Sequence, residues 1–319
     1  MSVLLEDSPA ILSAFAAVFG LLVGSFLNVV IHRLPRDGKG VAEGRSHCPR
    51  CGHAIAWFEN VPVLSWLALR GKCRGCRGAI SVRYPAVELA TGLMFWFVFE
   101  HLRSGHAPAG YPWGLLLVLW ALLAVLLAAS MIDFDFQILP DVLTKPMMPL
   151  GIVCSALVLE LHREHSLVAR WKGGDYTWLH GALDGVLGML AGLALVGGLR
   201  SIASRFAGRE AMGLGDVKLM GGLGAFVGAV GVVFVLLVGA LLGSVMGLLN
   251  VLRIFAVRAV RMSRRRAQRP RWRWDIAWIA GRVIPFGPAL SLGGAVVLLF
   301  RSELNVFLFE TWPAWVQGR

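Results

Sequence analysis

Long uncharged runs alternate with short polar connections along this chain, and their spacing predicts eight membrane-crossing helices. About 20 apolar residues carry a helix across the hydrocarbon core of a bilayer. Such stretches fall at about 10–32, 86–103, 113–133, 142–160, 179–199, 217–231, 233–256 and 283–300. The second is the weakest, because only Leu89 to Phe99 runs uninterrupted between Glu88 and Glu100. The uncharged run from Leu219 to Leu252 is too long for one helix and too rich in glycine to be straight, so it divides into two. Its glycines, Gly221, Gly222, Gly224, Gly228 and Gly231, permit either close helix packing or a bent, shortened span. The first span does not read as a cleavable signal, since Glu6 and Asp7 precede it and no small-residue cleavage site follows.

Composition agrees with the pattern. Charged residues make up 16% of the 319 positions, against roughly 25% in soluble domains. The fold class expected is an all-α polytopic membrane protein. One segment breaks the pattern: residues 33–85 are polar and basic and hold four of the five cysteines. The organisation expected is therefore a first transmembrane helix over 1–32, a small four-cysteine module over 33–85, and a membrane domain of about seven helices over 86–319. No internal repeat stands out.

The net charge of +12 invites a nucleic-acid reading, but its distribution argues against one. With the amino terminus outside, 25 of the 31 Lys and Arg fall in loops on one face, and only Arg103, Arg163, Arg170, Lys172, Arg301 and Arg319 on the other. By the positive-inside rule, both termini lie outside and the basic loops, the module included, lie in the cytoplasm. The cluster Arg261, Arg264, Arg265, Arg266, Arg269, Arg271 and Arg273, interleaved with Trp272 and Trp274, reads as an anchor on membrane lipids.

Cys48-Pro-Arg-Cys51 and Cys73-Arg-Gly-Cys76 are two CxxC knuckles. Two thiolates at that spacing on a tight turn can face one ion, with Gly52 and Gly75 easing the backbone. Four around a closed tetrahedral site suit structural Zn²⁺, which then has no open position for catalysis. Two disulfides or free thiols are the alternatives, and the reducing cytoplasm disfavours the former. His47 and His53 flank the first knuckle, but four cysteines complete the ligand set. Cys154 lies within a span and reads as a buried apolar residue.

Two acids stand where an apolar chain tolerates them least. Asp133 closes the third span, and Asp216 lies in Gly213-Leu214-Gly215-Asp216 at the start of the sixth. Two full crossings separate them, so both return to the same face. Ionisable groups in membrane segments mark function unless they are paired. Two adjacent carboxylates would share a single proton near neutral pH, the charged member activating water and the protonated member polarising a carbonyl. The same acids would also serve as a proton relay in a transporter, or as helix caps neutralised by Lys145 or Lys218. Asp135 and Asp141 belong to the same loop in a supporting or structural role, and Asp184 falls near the opposite face. No HExxH and no nucleophile-elbow pattern is present.

These residues, in this order, resemble the type IV prepilin peptidases, the membrane aspartic proteases of type IV pilus assembly and type II secretion. The resemblance runs from Gly24-Ser25-Phe26-Leu27-Asn28 through Arg33-Leu34-Pro35, both CxxC knuckles, Arg83-Tyr84-Pro85, Ile132-Asp133-Phe134-Asp135 and Leu139-Pro140-Asp141 to Gly213-Leu214-Gly215-Asp216. It implies that Asp133 and Asp216 are the catalytic pair and that 86–319 is the aspartic protease domain. The enzyme would sit in the bacterial inner membrane with its active site facing the cytoplasm. Its substrates would be prepilins or pseudopilins, cut after a glycine at the end of a basic leader. Methylation of the new amino terminus from S-adenosylmethionine is the second activity implied, although no G-x-G-x-x-G fingerprint is present to bind that donor. Asp135 and Asp141 are expected to offset the repulsion between the basic loops and a basic leader.

Overall fold

The computed structural model describes residues 9–36, 46–105, 111–162, 166–168, 175–208, 210, 212–264, 285–307, 311 and 315. The expected lipid anchor from Arg261 to Arg273 lies outside the residues whose side chains are described. Among the described residues eight α-helices follow one another: α1 (Pro9–Arg33), α2 (Leu64–Ala68), α3 (Arg83–Gly105), α4 (Trp113–Phe136), α5 (Asp141–Leu157), α6 (Trp178–Ala207), α7 (Leu214–Arg264) and α8 (Gly287–Val306). Among the described residues there is no strand, only the isolated bridges His47–Ala54 and Lys72–Ala79. Among the described residues four segments are long and apolar enough to cross a membrane: α1, α4, α6 and Leu214–Arg253. The chain divides into two compact units, Met1–Ile132 and Asp133–Arg319.

In the first unit, α1 lies directly on α3 because small residues line the seam. A Cβ on Gly20 would stand 2.7 Å from the Thr91 carbonyl oxygen, and one on Gly24 would stand 2.7 Å from the Glu88 Cα. This GxxxG spacing lets two backbones approach where no hydrophobic effect drives helices together in lipid. Large aromatic rings do the equivalent work between α3 and α4. Phe95 and Trp120 stack at 4.7 Å, and the Trp120 Nε1 donates to the Phe95 carbonyl at 3.0 Å. Arg83 at the start of α3 donates to the Met131 carbonyl in the last turn of α4 at 3.2 Å, a favourable place for a cation.

In the second unit, α5, α6 and α7 pack through glycines. Gly188 and Gly224 face each other so closely that a Cβ on either would strike the other's carbonyl oxygen. The uncharged run of α7 is broken, but at Gly228 (φ 71°, ψ 173°) rather than between residues 231 and 233. That conformation is open to glycine alone, which a hydropathy pattern does not register. A Cβ on Gly224 would stand 3.1 Å from the Val232 side chain, whereas eight residues of straight helix span about 12 Å. The chain therefore turns back at Gly228 and makes α7 two arms, 214–227 and 229–264. α8 packs against both, with Gly294 on Leu223 and Gly293 on Val235 and Gly239.

Such a turn leaves backbone carbonyls without helical partners, and side chains supply them. Arg301 Nη1 donates to the Val227 oxygen at 2.7 Å, and Ser155 Oγ donates to the Ala225 oxygen at 2.8 Å. An orphaned buried carbonyl costs about 1–3 kcal/mol. Arg301→Met should therefore lower unfolding stability by about that amount, seen as a fall in melting temperature of the detergent-solubilised protein. An unchanged melting temperature would show that Val227 finds water instead. Asp184 belongs to this end of the unit, as the charge pattern anticipates, and it accepts from Tyr176 Oη at 3.2 Å and from the Val168 amide at 3.4 Å. Cys154 is half-buried rather than fully buried, because α5 turns it partly away from its neighbours.

Candidate active site

Asp133 and Asp216 both lie in the second unit, and each is held by the amide at a helix start. Asp133 ends the regular part of α4 and is 6% exposed. Its Oδ2 accepts from the Gly287 amide, the first residue of α8, at 3.1 Å. Asp216 is 8% exposed and occupies the third position of α7. Its carboxylate accepts from the Gly213 amide just ahead of the helix. That is the reach-back of a capping box, in which an acid at the third helical position satisfies the cap amide. The local sequence therefore dictates this half of the site.

The two glycines of Gly213-Leu214-Gly215-Asp216 have separate reasons. Gly213 supplies the amide. Gly215 makes room for Leu139, since a Cβ there would stand 2.8 Å from the Leu139 Cβ. Leu139 in turn lies against Gly287, which ties the loop after α4 to the starts of both α7 and α8. The carboxylates are close enough for the charge of Asp133 to act on Asp216. One amide bond fixes each carboxylate.

Neither neighbouring lysine neutralises this pair. Lys218 Nζ donates to Asp141 Oδ1 at 2.5 Å, and Lys145 Nζ lies 2.7 Å from Asp141 Oδ2. Both hold the Asp141 carboxyl below the usual carboxylate range. The triad joins the first turns of α5 and α7, and its exposure to solvent keeps each pair weak. Asp141 thus has a structural part, tying the first turns of α5 and α7 together through two lysines, and Asp135 is exposed beside it in sequence.

Gly287 is the site residue that sequence reasoning overlooked. Its one local signal is the Gly-Pro pair opening a helix, and nothing in that pair names a partner 154 residues away. A Cβ on Gly287 would stand 2.5 Å from Asp133 Oδ2. Gly287→Ala should therefore displace the carboxylate and lower the catalytic rate by about 10²-fold, with the protein still folded. Near-normal turnover of that variant would remove the amide from the account. A second unforeseen contact steadies the other half: Arg200 bonds the Met212 carbonyl at 3.0 Å and Glu210 at 2.8 Å, clamping the chain ahead of Gly213.

The cysteine module lies in the first unit. Its two knuckles repeat one hydrogen-bond pattern: Cys48 N to His53 O and Gly52 N to Cys48 O, then Cys73 N to Gly78 O and Arg77 N to Cys73 O. The left-handed residues of the two knuckles are Gly52 (φ 73°) and Arg77 (φ 58°), and Gly75 makes room for His53, whose Cβ would stand 3.1 Å from a Cβ there. The sulfurs of Cys48, Cys51, Cys73 and Cys76 all lie within 4.8 Å of one another, with Cys48–Cys76 and Cys51–Cys73 at 4.0 Å. Tetrahedral zinc with 2.3 Å bonds to sulfur sets its ligands about 3.8 Å apart, so the four fit that ion. The thiol chemistry fits as well. The amides of Arg50 and Cys51 bring Cys48 down to about 6. The His53 amide also lowers Cys51, but desolvation and the sulfurs of Cys76, Cys48 and Cys73 push it up to about 11. A cation at the centre lets all four ionise together. His53 is drawn instead to Glu59, at 3.1 Å.

Comparison with known proteins agrees with this division of motifs. Residues 18–102 match a family model described as the bacterial peptidase A24 N-terminal domain, and residues 120–248 match one described as the type IV leader peptidase family. The chain is 35% identical to a prepilin leader peptidase/N-methyltransferase of Stutzerimonas stutzeri, over 94% of its own length and 95% of the relative's. A protein of the same name from Pseudomonas aeruginosa is 34% identical over 90% of each chain. Another from Myxococcus xanthus is 40% identical over 75% of this chain and 63% of the relative. No solved structure matches.

Proposed function

The chain belongs to the type IV leader peptidase family, and on that premise we propose how it works. It is a prepilin peptidase and N-methyltransferase, and Asp133 and Asp216 are its proteolytic pair. The observation that carries this assignment is the pair itself: two nearly buried acids from distant helices, each anchored by a helix-start amide and each within electrostatic reach of the other. Sharing one proton, the charged member takes a proton from water as the water attacks the scissile carbonyl. The protonated member donates to the carbonyl oxygen as it becomes an oxyanion. No covalent intermediate and no metal enters that step.

The protein is a multi-pass protein of the bacterial inner membrane. Its eight crossings are α1, α3, α4, α5, α6, the two arms of α7, and α8. The first arm of α7, about 14 residues long, reaches only about 21 Å, less than the ~30 Å hydrocarbon core. That shortness puts Asp216 near the depth where the leader meets the hydrophobic helix of a prepilin. The asymmetry of Lys and Arg sets this end in the cytoplasm. Functionally, 1–32 is the first membrane helix, 33–85 the zinc module held by Cys48, Cys51, Cys73 and Cys76, and 86–319 the protease domain. S-adenosylmethionine supplies the methyl group. The substrates are prepilins or pseudopilins, presented from the same lipid bilayer.

Purified enzyme mixed with a full-length prepilin in detergent tests the whole reading. A gel shift should report loss of the leader, and mass spectrometry should find the new amino terminus heavier by one methylene when S-adenosylmethionine is present. An intact prepilin after prolonged incubation with folded enzyme would overturn it.

A further inference from the structure

Polarity is inverted on two consecutive elements of the cysteine module. The 3₁₀ turn Trp57–Asn60 presents Trp57 and Phe58 outward and turns the Glu59 side chain inward. α2 does the same: Leu64 and Leu67, three positions apart on one face, point out, and Ser65 points in. Trp57 is 83% exposed and Leu64 65%, against 6% for the Glu59 side chain and 9% for Ser65. A surface that meets water is built the other way round, and apolar side chains gathered on an otherwise polar segment mark an interaction surface.

Depth identifies what covers this face. Val63, the residue before α2, gives its amide to Glu88 Oε2 at 2.7 Å, and a Cβ on Gly24 of α1 would stand 2.7 Å from the Glu88 Cα. Gly24 and Glu88 therefore share one level. Gly24 precedes the end of α1 at Arg33 by nine residues, about 13 Å along the axis. α1 is about 37 Å long and, centred on a hydrocarbon core of ~30 Å, overhangs it by about 4 Å at each end. The Glu88 side chain leans toward the start of α3 and reaches about one turn, so Val63 lies about 4–10 Å beneath the core surface. The contact is enforced, for Val63 adopts φ 60°, ψ −49°, an outlier for a β-branched residue that only its surroundings sustain.

The backbone is prepared for that environment. Away from water each N–H and C=O needs a partner within the protein, and side chains supply those that two short helices leave open. Glu59 Oε2 accepts from the Ala56 amide at 3.0 Å. Ser65 Oγ accepts from the Val61 amide at 2.9 Å and donates to the Phe58 carbonyl at 2.8 Å. Charge is complementary as well. The Arg74 guanidinium lies 5.4 Å from the Phe58 ring centre, and Arg70 and Lys72, just after α2, are exposed. Long basic side chains lay their stems on apolar surface and hold their heads at lipid phosphates.

Resting on the reading that α1 crosses the bilayer, we propose that the segment 57–68 is an interfacial anchor embedded in an anionic leaflet of that bilayer. Trp57, Phe58, Leu64 and Leu67 meet acyl chains, and Arg70, Lys72 and Arg74 meet the phosphate headgroups. Apolar faces of interfacial helices sit about 5–10 Å into the boundary between headgroups and acyl chains, a depth that the Glu88 contact matches. The module is thereby held on the membrane by its own middle as well as by the helices at its two ends.

The test is photocrosslinking of the full-length, zinc-loaded enzyme in nanodiscs of phosphatidylethanolamine and phosphatidylglycerol in equal amounts, with and without a full-length prepilin. A benzophenone amino acid replaces Leu64, Leu67 or Trp57 in turn, and Leu22, exposed on α1, is the reference position. Mass spectrometry should find phospholipid adducts at all three module positions, at yields within about threefold of that at Leu22. Phosphatidylglycerol should exceed phosphatidylethanolamine in those adducts by at least about twofold, and Arg70→Gln with Lys72→Gln should remove the excess. Adducts at Leu22 alone, or module adducts to prepilin or to a second copy of the chain in place of lipid, overturn the proposal and leave the membrane reading of α1 standing. No adduct at Leu22 overturns both. Equal adducts of the two lipids overturn the part given to the basic residues. Zinc content checks folding; should a label on α2 displace the metal, the Trp57 position, on a separate turn, decides.

Discussion

Asp133→Asn and Asp216→Asn should each lower the rate of leader removal by at least about 10³-fold, within the 10²–10⁴-fold that a general acid or base typically supplies, and more where one group serves both steps. An amide can neither take the proton from water nor give one to the carbonyl oxygen. Because the two acids act as one unit, the double variant should be scarcely slower than either single one. Folding should survive. Asn retains an oxygen to accept from the Gly287 amide in one case and from the Gly213 amide in the other. It also removes the burial of the one charge that the pair carries, so the melting temperature should hold or rise. A gel-shift assay against full-length prepilin, with both variants in parallel, decides the matter. Cleavage surviving either change would remove these residues from the chemistry and return the proton-relay reading to consideration.

Loss of the metal should have an effect as large, but of a different kind. Between the two membrane helices that flank it, the segment from Ser46 to Ser81 has only short helical turns and isolated bridges, and its exposed faces carry Trp57, Leu64 and Leu67. Such a segment cannot bury enough apolar surface to fold alone, so metal binding is its folding energy. Structural zinc in comparable small modules binds with about 10–16 kcal/mol near pH 7. Cys48→Ser with Cys51→Ser should therefore abolish the one equivalent of zinc and expose 46–81 to protease, while the glycine-packed second unit stays intact. Protons compete with zinc for the four sulfurs, so affinity should fall as pH falls. The same treatment should damage folding, stability or methylation of the product, and reduce cleavage only indirectly. A double variant that still held one zinc per chain would overturn the ligand assignment.

How much of this was legible beforehand depended on whether the cause was local. Each CxxC knuckle closes within six residues, so its spacing sufficed to name the ligands. The Gly-Leu-Gly-Asp motif likewise satisfies Asp216 within one helical turn. Other features carried no local mark. Gly75 eases the second knuckle by making room for His53, whose Cβ would stand 3.1 Å from a Cβ there, while the left-handed position falls to Arg77 through the repeated hydrogen-bond pattern. Asp141 is tied to Lys145 and Lys218. Lys218 lies 77 residues along the chain, a pairing that no pattern of charges specifies.

By itself the sequence determined the apolar helices, the four cysteines that cluster and the two acids that the fold buries at helix ends. Uncharged runs must satisfy their own backbone in lipid, four thiolates at that spacing suit one ion, and membrane segments do not keep acids without use. Only the tertiary structure decided that Gly228 turns α7 back on itself, that Arg301 caps the carbonyl so released, and that the Gly287 amide holds Asp133. Each of these depends on how closely two distant backbones approach, and that distance is set by the packing of whole helices, which no single segment encodes.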